Sequence, residues 1–205
     1  MNEGYLAVLD KIASLSPTPG GGSVSALTLA HAQSLALMVA RLTLSKEKWS
    51  SGHNISKEVI GHCEKSMPRS ILLAKEDAEA FDKVMSAFKK PKSDDSEIKE
   101  RKEAILLATI EAASTPSTIA LESQKLLEML PELAKLGNSN AITDLAAAAE
   151  LAYTAAYIAY LNVKINVGSS NNDELQNILE STNESLAKSK ILLTDIQKIV
   201  SERMD

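Results

Sequence analysis

Hydrophobic residues recur along the chain at intervals of three and four, the spacing of one face of a helix. No segment of the sequence shows the sustained alternation of polar and apolar residues that is typical of a half-buried strand. Segments rich in proline and glycine divide the pattern. The spacing predicts an all-α protein with six helices, which cover about residues 5–13, 23–46, 56–89, 97–136, 141–167 and 173–204.

A few residues predict where these helices begin, bend and end. Ser23 is predicted to cap the second helix, because a serine hydroxyl accepts a hydrogen bond from the first helical turn. Pro68 is predicted to kink the third helix, Pro116 to interrupt the fourth, and Pro131 to tighten or break it, because proline lacks a backbone donor. Gly137 is predicted to end the fourth helix in the left-handed conformation.

The distribution of charge among the helices predicts how they pack. The second and fifth helices are apolar nearly all round and are expected at the centre, whereas the last helix carries charge on most of its surface and is expected to cover them. This predicts a bundle of about five to six long antiparallel helices, forming a single domain over residues 1–205. The central helices have more apolar surface than the rest of the chain is expected to cover, which favours a homodimer.

Composition and charge narrow the functional classes. Of the 205 residues, 44% are hydrophobic, enough for a sizeable core, and only 3% are aromatic. The net charge of -5 and the shortage of aromatic residues argue against a nucleic-acid partner. The single cysteine, Cys63, excludes an internal disulfide and fits a reducing compartment.

Two apolar stretches have the length of a membrane span. Residues 24–44 and 141–167 nevertheless contain charged and amide side chains, so both are interpreted as buried helices of a bundle and no membrane partner is expected. The first residues show no basic region followed by an apolar run, so no signal peptide is expected.

The third helix places an acidic residue on its apolar stripe. Asp77 lies roughly 40° from Phe81 at 100° per residue. A carboxylate on a buried face is costly unless it is paired or neutralised, so such a residue usually has a basic partner or a chemical role. Asp82 lies on the flank of the stripe, roughly 100° from Phe81, where a solvated residue is as good an interpretation as a functional one.

The fifth helix also has polar residues on an apolar face. Asp144 and Asn162 share that face with residues spaced by three and four. Asp144 also suits the first helical turn, where the helix dipole favours a carboxylate, and Asn162 can alternatively form an interhelical hydrogen bond that fixes register. The two residues are about 27 Å apart along the helix axis. They therefore contact opposite ends of a long ligand, or sites in different subunits, if both are functional.

Three consecutive glycines follow Pro19 and precede Ser23 at the start of the second helix. The unpaired N–H groups of a helix N-terminus attract anions, and glycine lets a ligand approach the backbone closely. The spacing fits neither a Walker loop, since no lysine follows, nor a dinucleotide-binding motif, since no strand precedes it. The loop is interpreted as a ligand contact, with a tight turn between helices as the alternative.

Metal chemistry has weak support in the sequence. The available soft ligands include His62 and Cys63, but these are adjacent on a helix and diverge. His31 shares a face with apolar residues and is interpreted as a core histidine. No metal site is predicted.

Several segments together resemble the formiminotransferase-cyclodeaminase C-terminal family, also called the cyclodeaminase/cyclohydrolase family. The matching segments, in chain order, are 16–26 (SPTPGGGSVSA), 38–43 (MVARLT), 76–85 (EDAEAFDKVM), 90–91 (KP), Pro116, 137–144 (GNSNAITD) and 161–166 (LNVKIN). They extend over nearly the whole chain and contain the polar residues described above. The chain departs from the family pattern at 45–49 (SKEKW) and at His31.

The resemblance implies an all-helical, cytoplasmic folate enzyme that is normally a homodimer and needs no cofactor beyond its tetrahydrofolate substrate. It implies catalytic roles for aspartates at Asp77, Asp82 and Asp144. The substrate-binding residues that it implies are Pro19, Gly20, Gly21, Gly22, Ser23, Asn138, Asn162 and Asn166.

Two activities occur in that family. The one predicted here is formimidoyltetrahydrofolate cyclodeaminase, which converts 5-formiminotetrahydrofolate to 5,10-methenyltetrahydrofolate and ammonia; the alternative is methenyltetrahydrofolate cyclohydrolase. Cyclodeamination needs one group to take the N10 proton and one to protonate the departing amine, and carboxylates with a raised pKa suit both tasks. A third interpretation is a non-catalytic dimeric helical scaffold, which predicts no folate binding.

Overall fold

The structure is a computed structural model that describes residues 4–204. The α-helices within that range are α1 Tyr5–Ile12, α2 Gly21–Leu44, α3 His53–Phe88, α4 Asp95–Leu136, α5 Ile142–Val167 and α6 Asp173–Met204. Short 3-10 helices, Glu47–Gly52 and Ser139–Ala141, precede α3 and α5. No strand occurs between residues 4 and 204, and the all-α prediction is confirmed. Residues 1–3, where part of the signal-peptide prediction falls, and residue 205 lie outside the described residues.

Four helices, α2 to α5, form an antiparallel ring in which each packs against the next and α5 returns to α2. The direction of α2 against α3 follows from three contacts: Arg41 bonds Glu64, Ser70 bonds Gln33, and Ser23 bonds Asp77. Helix α6 lies along both α4 and α5. One end of the bundle therefore brings together the start of α2, the second half of α3 and the end of α5.

Alanine makes the centre of the bundle compact. Helix α5 buries six alanines completely, namely Ala148, Ala149, Ala152, Ala155, Ala156 and Ala159. Such small side chains let helix backbones approach closely, and the larger residues that fill the remaining space come mainly from α4. The predicted central position of α2 and α5 is confirmed, since both bury residues against several neighbouring helices.

The beginning of α2 differs from the prediction. The helix begins at Gly21 with Gly20 as its N-cap, so Ser23 lies inside the first turn and does not cap it. The reason is that the Ser23 hydroxyl donates to a carboxylate on α3 instead. Glycine lets the α2 backbone lie against that carboxylate, at a distance that leaves no room for a side chain.

The prolines of α4 do not interrupt it, and the prediction that they would is wrong. The helix continues through Pro116 and Pro131 to Leu136. A proline inside a helix costs about 3 kcal/mol, which is smaller than the gain from burying apolar residues of α4 against α3, α5 and α6. Gly137 is also not left-handed: its φ is -78° and its ψ -177°. Glycine is needed there because a Cβ would lie 2.5 Å from the Leu133 carbonyl oxygen.

Helices α2 and α4 are long and apolar enough to cross a membrane by length and composition alone. Most residues in the apolar part of α2 are buried inside the bundle. The core helices of soluble proteins can have the same length and composition, so these two properties are weak evidence for a membrane span.

Candidate active site

Asp77 lies on α3 directly opposite the first turn of α2. The Ser23 hydroxyl donates a hydrogen bond to Asp77 Oδ2 over 3.0 Å. A Cβ added to Gly22 would lie 2.1 Å from Asp77 Oδ1, so the carboxylate fits against a backbone that has no side chain at this position. Because a carboxylate occupies the space that a side chain would need, glycine at residue 22 is a steric requirement of this contact.

Burial raises the pKa of the Asp77 carboxyl above its usual value of 3.8, and hydrogen bonds from Ser23 partly oppose that rise. The neighbouring charges are engaged elsewhere: Glu76 pairs with Arg69, and Lys83 pairs with Glu111. Among residues 4–204, no lysine, arginine or histidine forms an ion pair with Asp77. A partly buried carboxylate without a cation, whose proton is held more tightly than usual, is suited to acid–base chemistry.

Asn162 approaches the same glycine turn from α5. A Cβ on Gly21 would lie 3.6 Å from its amide nitrogen, which donates to the Ile158 carbonyl over 2.9 Å. Within the described chain the Asn162 amide oxygen accepts no hydrogen bond, so it is available to a ligand. The name carboxylate site is used below for Gly21, Gly22, Ser23, Asp77 and Asn162.

The first turn of α2 also offers backbone donors. Val24 is the first residue of this helix whose N–H bonds back along the chain, to Gly20 over 3.0 Å. The preceding N–H groups have no partner within the helix, which is the general condition of a helix N-terminus. They lie beside Asp77 and Asn162, so developing negative charge on a ligand would meet donors there. Pro19 and Gly20 are half-buried in the loop that leads into this turn.

Three of the predicted site residues lie away from Asp77 in the described chain. Asn138 is buried at the opposite end of the bundle, where its N–H donates to Thr43 Oγ1 over 2.9 Å. Thr43 is 21 residues beyond Gly22 on α2, or about 31 Å along the axis. Asp144 is in the first turn of α5 at that same end. Asp82 is close in sequence to Asp77, but it is exposed on the outer side of α3.

Asn166 lies one turn beyond Asn162 and is joined to the neighbouring helix. Its amide nitrogen donates to the Ala112 carbonyl over 2.7 Å, linking α5 to α4. We expect Asn166→Ala to lower the free energy of unfolding by about 1–3 kcal/mol, because a half-buried carbonyl loses its donor. Chemical denaturation measures this. The substrate KM is expected to stay unchanged, and a raised KM at wild-type stability would instead support the substrate-binding role that the resemblance implies.

The apolar stripe of α3 is only partly buried, which corrects the expectation of a buried face. Val59 and Cys63 are completely buried, whereas Phe81, Met85 and Phe88 are 37%, 43% and 50% exposed. The reason is that α2 begins opposite Asp77, so the last three turns of α3 have no α2 residues to cover them. Apolar surface is therefore open immediately beside the carboxylate site.

The histidines and the cysteine do not form a metal site within the described residues. No group of three or more His, Cys, Asp or Glu side chains between residues 4 and 204 is arranged to hold a metal ion. Burial raises the pKa of the Cys63 thiol to about 12, so it is a poor nucleophile. His31 is exposed on the outer face of α2, and its interpretation as a core histidine is wrong. The reason is that α1 passes over this face without packing tightly against it, and all its residues remain exposed or half-buried.

Ser23→Ala tests the electrostatic part of this geometry. The Ser23 hydrogen bond favours the charged form of Asp77, so its removal is expected to raise the pKa of Asp77 further. The limb of the pH–rate profile that reports Asp77 should then move to higher pH. Ser45→Ala, the same change at the exposed far end of α2, is the control. Identical profiles for both variants would contradict a role for Asp77 in the rate.

The fold and the site define a helical-bundle protein with an unpaired, partly buried carboxylate at a glycine turn. Residues 5–185 match the family described as Formiminotransferase-cyclodeaminase. The chain belongs to this family, and the resemblance found in its motifs is confirmed.

Similar proteins come from bacteria and animals. The methenyltetrahydrofolate cyclohydrolase of Methylorubrum extorquens is 33% identical over 80% of this chain and 79% of its own length. The formimidoyltransferase-cyclodeaminase of Gallus gallus is 32% identical over 74% of this chain, but this is only 28% of its own length. The crystal structure of the formiminotetrahydrofolate cyclodeaminase of Thermotoga maritima is 31% identical, with a TM-score of 0.84 over 95% of this chain and 94% of that one.

Proposed function

We propose that the chain is a formimidoyltetrahydrofolate cyclodeaminase, a single catalytic domain that acts in the cytoplasm without a further cofactor. The observation that carries the proposal is Asp77, a partly buried carboxylate with a raised pKa that contacts the glycine turn of α2. Family membership supports a folate-dependent enzyme of the cyclodeaminase or cyclohydrolase type.

The chemistry assigned to Asp77 follows from the reaction. The N10 nitrogen of 5-formiminotetrahydrofolate attacks the carbon of the protonated formimino group on N5, forming a tetrahedral centre that carries an NH2 group. N10 loses its proton, and the amine takes up a proton and leaves as ammonia, which produces the 5,10-methenyl cation. In this mechanism Asp77 takes the N10 proton and returns it to the departing amine, because a carboxyl with a raised pKa can exist in both forms during turnover.

The rest of the carboxylate site holds the substrate in this mechanism. The amide oxygen of Asn162 accepts from a pterin N–H donor, and the free N–H groups of the glycine turn face electron-rich substrate atoms. Asp82, Asp144 and Asn138 remain predictions from the resemblance. Asp144 and Asn138 lie about 30 Å from this turn in their own chain, so they act at it only from a second subunit.

We propose a homodimer on the basis of exposed apolar residues near the site. These residues belong to α1 and to the last turns of α3, and the largest are Tyr5, Leu6, Phe81, Met85 and Phe88. Large apolar side chains left exposed on a single chain favour association in soluble proteins. Light scattering during size-exclusion chromatography tests this proposal, since a dimer has twice the 22.0 kDa mass of the chain.

Methenyltetrahydrofolate cyclohydrolase is the second candidate. It is supported by the Methylorubrum extorquens relative, which matches this chain over most of the length of both proteins. Hydrolysis uses water as the nucleophile with the same acid–base group, so the site residues do not discriminate between the two reactions.

Ammonia release separates the candidates. Supplied with 5-formiminotetrahydrofolate, a cyclodeaminase releases one ammonia for each methenyl chromophore formed. A cyclohydrolase leaves this compound unchanged but consumes the methenyl chromophore in 5,10-methenyltetrahydrofolate. Calorimetry with tetrahydrofolate tests the third interpretation, because a non-catalytic scaffold would give no binding heat.

A further inference from the structure

An apolar cavity of about 700 Å³ lies between α1 and the outer face of α2. Its walls come from four helices: Leu9 and Ile12 from α1, Val24 and Leu27 from α2, Ile71 from α3 and Leu151 from α5. Its lining, which belongs to the described residues, contains no Asp, Glu, Lys or Arg. A space of this size and polarity is suited to an uncharged, apolar part of a ligand.

The cavity wall and the carboxylate site lie close together along α2 and α3. Val24, in its wall, directly follows Ser23, whose hydroxyl bonds Asp77. On α3, Ile71 precedes Asp77 by six residues, or about 9 Å along the helix. Along both helix axes, the cavity wall therefore lies within about 9 Å of the residues that hold the carboxylate site, a distance comparable to one aromatic ring and its substituent.

Helix α1 closes the outer side of the cavity through a polar contact. The Tyr5 hydroxyl lies 3.4 Å from His31 Nε2, and the two rings meet edge to face with their centres 6.0 Å apart. His31 Nδ1 lies 2.7 Å from the Leu27 carbonyl oxygen. Since a carbonyl only accepts, Nδ1 carries a proton and Nε2 of the neutral ring accepts from Tyr5. The contact holds α1 above α2 while leaving the space between them open.

We propose that this cavity binds the aryl ring of the p-aminobenzoyl group of the substrate, an inference that rests on the proposed function. In tetrahydrofolate this ring is attached directly to N10, the nitrogen that reacts at Asp77. The ring must therefore extend from the carboxylate site by only a few ångströms. The neighbouring apolar cavity accepts an uncharged ring without leaving a polar group unpaired.

The test places a charge in the cavity wall. Ile71→Asp introduces a carboxylate at a residue that lines the cavity and is 52% exposed, so the bundle core is unaffected. Leu72→Asp is the matched control: this neighbour is 46% exposed and does not line the cavity. Leu9→Asp makes the same change in the part of the cavity wall that α1 provides.

The measurements are the substrate KM and inhibition by two fragments, p-aminobenzoylglutamate and 6-methyltetrahydropterin. Ile71→Asp and Leu9→Asp are expected to raise the KM and the inhibition constant of p-aminobenzoylglutamate at least tenfold. Inhibition by the pterin fragment should stay within a factor of two of wild type, and the Leu72→Asp control should match wild type throughout.

Three results would overturn the inference. Wild-type protein that binds neither tetrahydrofolate nor either fragment refutes the proposed function, and the inference with it. Wild-type protein that binds tetrahydrofolate, together with an Ile71→Asp variant of unchanged KM and fragment inhibition, refutes the aryl site alone. An Ile71→Asp variant whose mass in light scattering falls while p-aminobenzoylglutamate still inhibits it identifies the cavity as a contact for a second copy.

Discussion

Asp77→Asn is expected to lower turnover by about 10²- to 10⁴-fold, the contribution typical of a positioned acid–base group. The amide is nearly isosteric with the carboxylate and its oxygen can still accept from Ser23, so the geometry of the glycine turn is retained. What is lost is the ability to take and return a proton. Stopped-flow absorbance of the methenyl chromophore measures the loss.

Asp82→Asn is the matched control for this variant. It makes the same chemical change five residues later on α3, at an exposed residue, and is expected to leave turnover close to wild type. A large loss would instead support the catalytic role that the resemblance implies for Asp82. Asp144→Asn distinguishes two arrangements of subunits: a large loss would mean that a second copy brings its far end to the carboxylate site. Full turnover by Asp77→Asn would refute the proposed site.

Asp77→Asn is expected to stabilise the folded protein at neutral pH, although it lowers turnover. Because burial raises the pKa of Asp77 in the folded state, folded protein binds this proton more tightly than unfolded protein does. The resulting stabilisation is present below the unfolded carboxyl pKa and is lost as the pH rises through the folded value. Asp77→Asn lacks this dependence.

The melting temperature of Asp77→Asn should therefore rise relative to that of wild type as the pH rises from about 4 to 7. At pH 7 the variant is expected to melt at or above the wild-type temperature although it has lost activity. A variant that melts well below wild type at pH 7 would mean that the charged carboxylate is a structural contact.

The hydrophobic spacing within each segment was sufficient to predict the helices. It was insufficient for features that depend on packing between helices. Hydrophobic spacing located all six helices because each helix has a stripe or a fully apolar surface. Pro116 and Pro131 failed as helix breakers because the prediction counted their local cost without the packing of α4 against three neighbours. The exposure of the last turns of α3 was missed for the same reason, because the prediction considered α3 alone. Whether its apolar stripe is buried there depends on where α2 begins.

The candidate site was predictable as separate outliers and not as an arrangement. Asp77, Asn162 and the triple glycine each stood out against their own surroundings in the sequence. Their meeting depends on the antiparallel pairing of α2 with α3 and α5, which relates residues that are 54 apart in the case of Ser23 and Asp77. The same pairing places Asp144 and Asn138 at the opposite end, although their motifs resemble the family equally well.

Gly22→Ala is expected to reduce both stability and activity, because its new methyl group would occupy the position of the Asp77 carboxylate. The added Cβ would lie 2.1 Å from Oδ1 and 2.6 Å from Cγ, so α2 or Asp77 must move. Overpacking of this kind costs about 1–3 kcal/mol. A displacement of about 1 Å at a reacting group lowers turnover by about 10²-fold. Thermal melting and the methenyl assay measure the two effects.

A second glycine and a double variant separate the clash from the general effect of alanine. Gly61, inside α3 about two turns from its start, has no heavy atom within 4 Å of an added Cβ. Gly61→Ala should therefore stabilise the protein by about 0.5–1 kcal/mol through helix propensity. Combining Gly22→Ala with Asp77→Ala removes the group that causes the clash, so stability should recover while activity stays low. If Gly22→Ala alone melts like Gly61→Ala, the carboxylate does not occupy the space beside this glycine, and the contact on which the proposed acid–base chemistry depends is absent in solution.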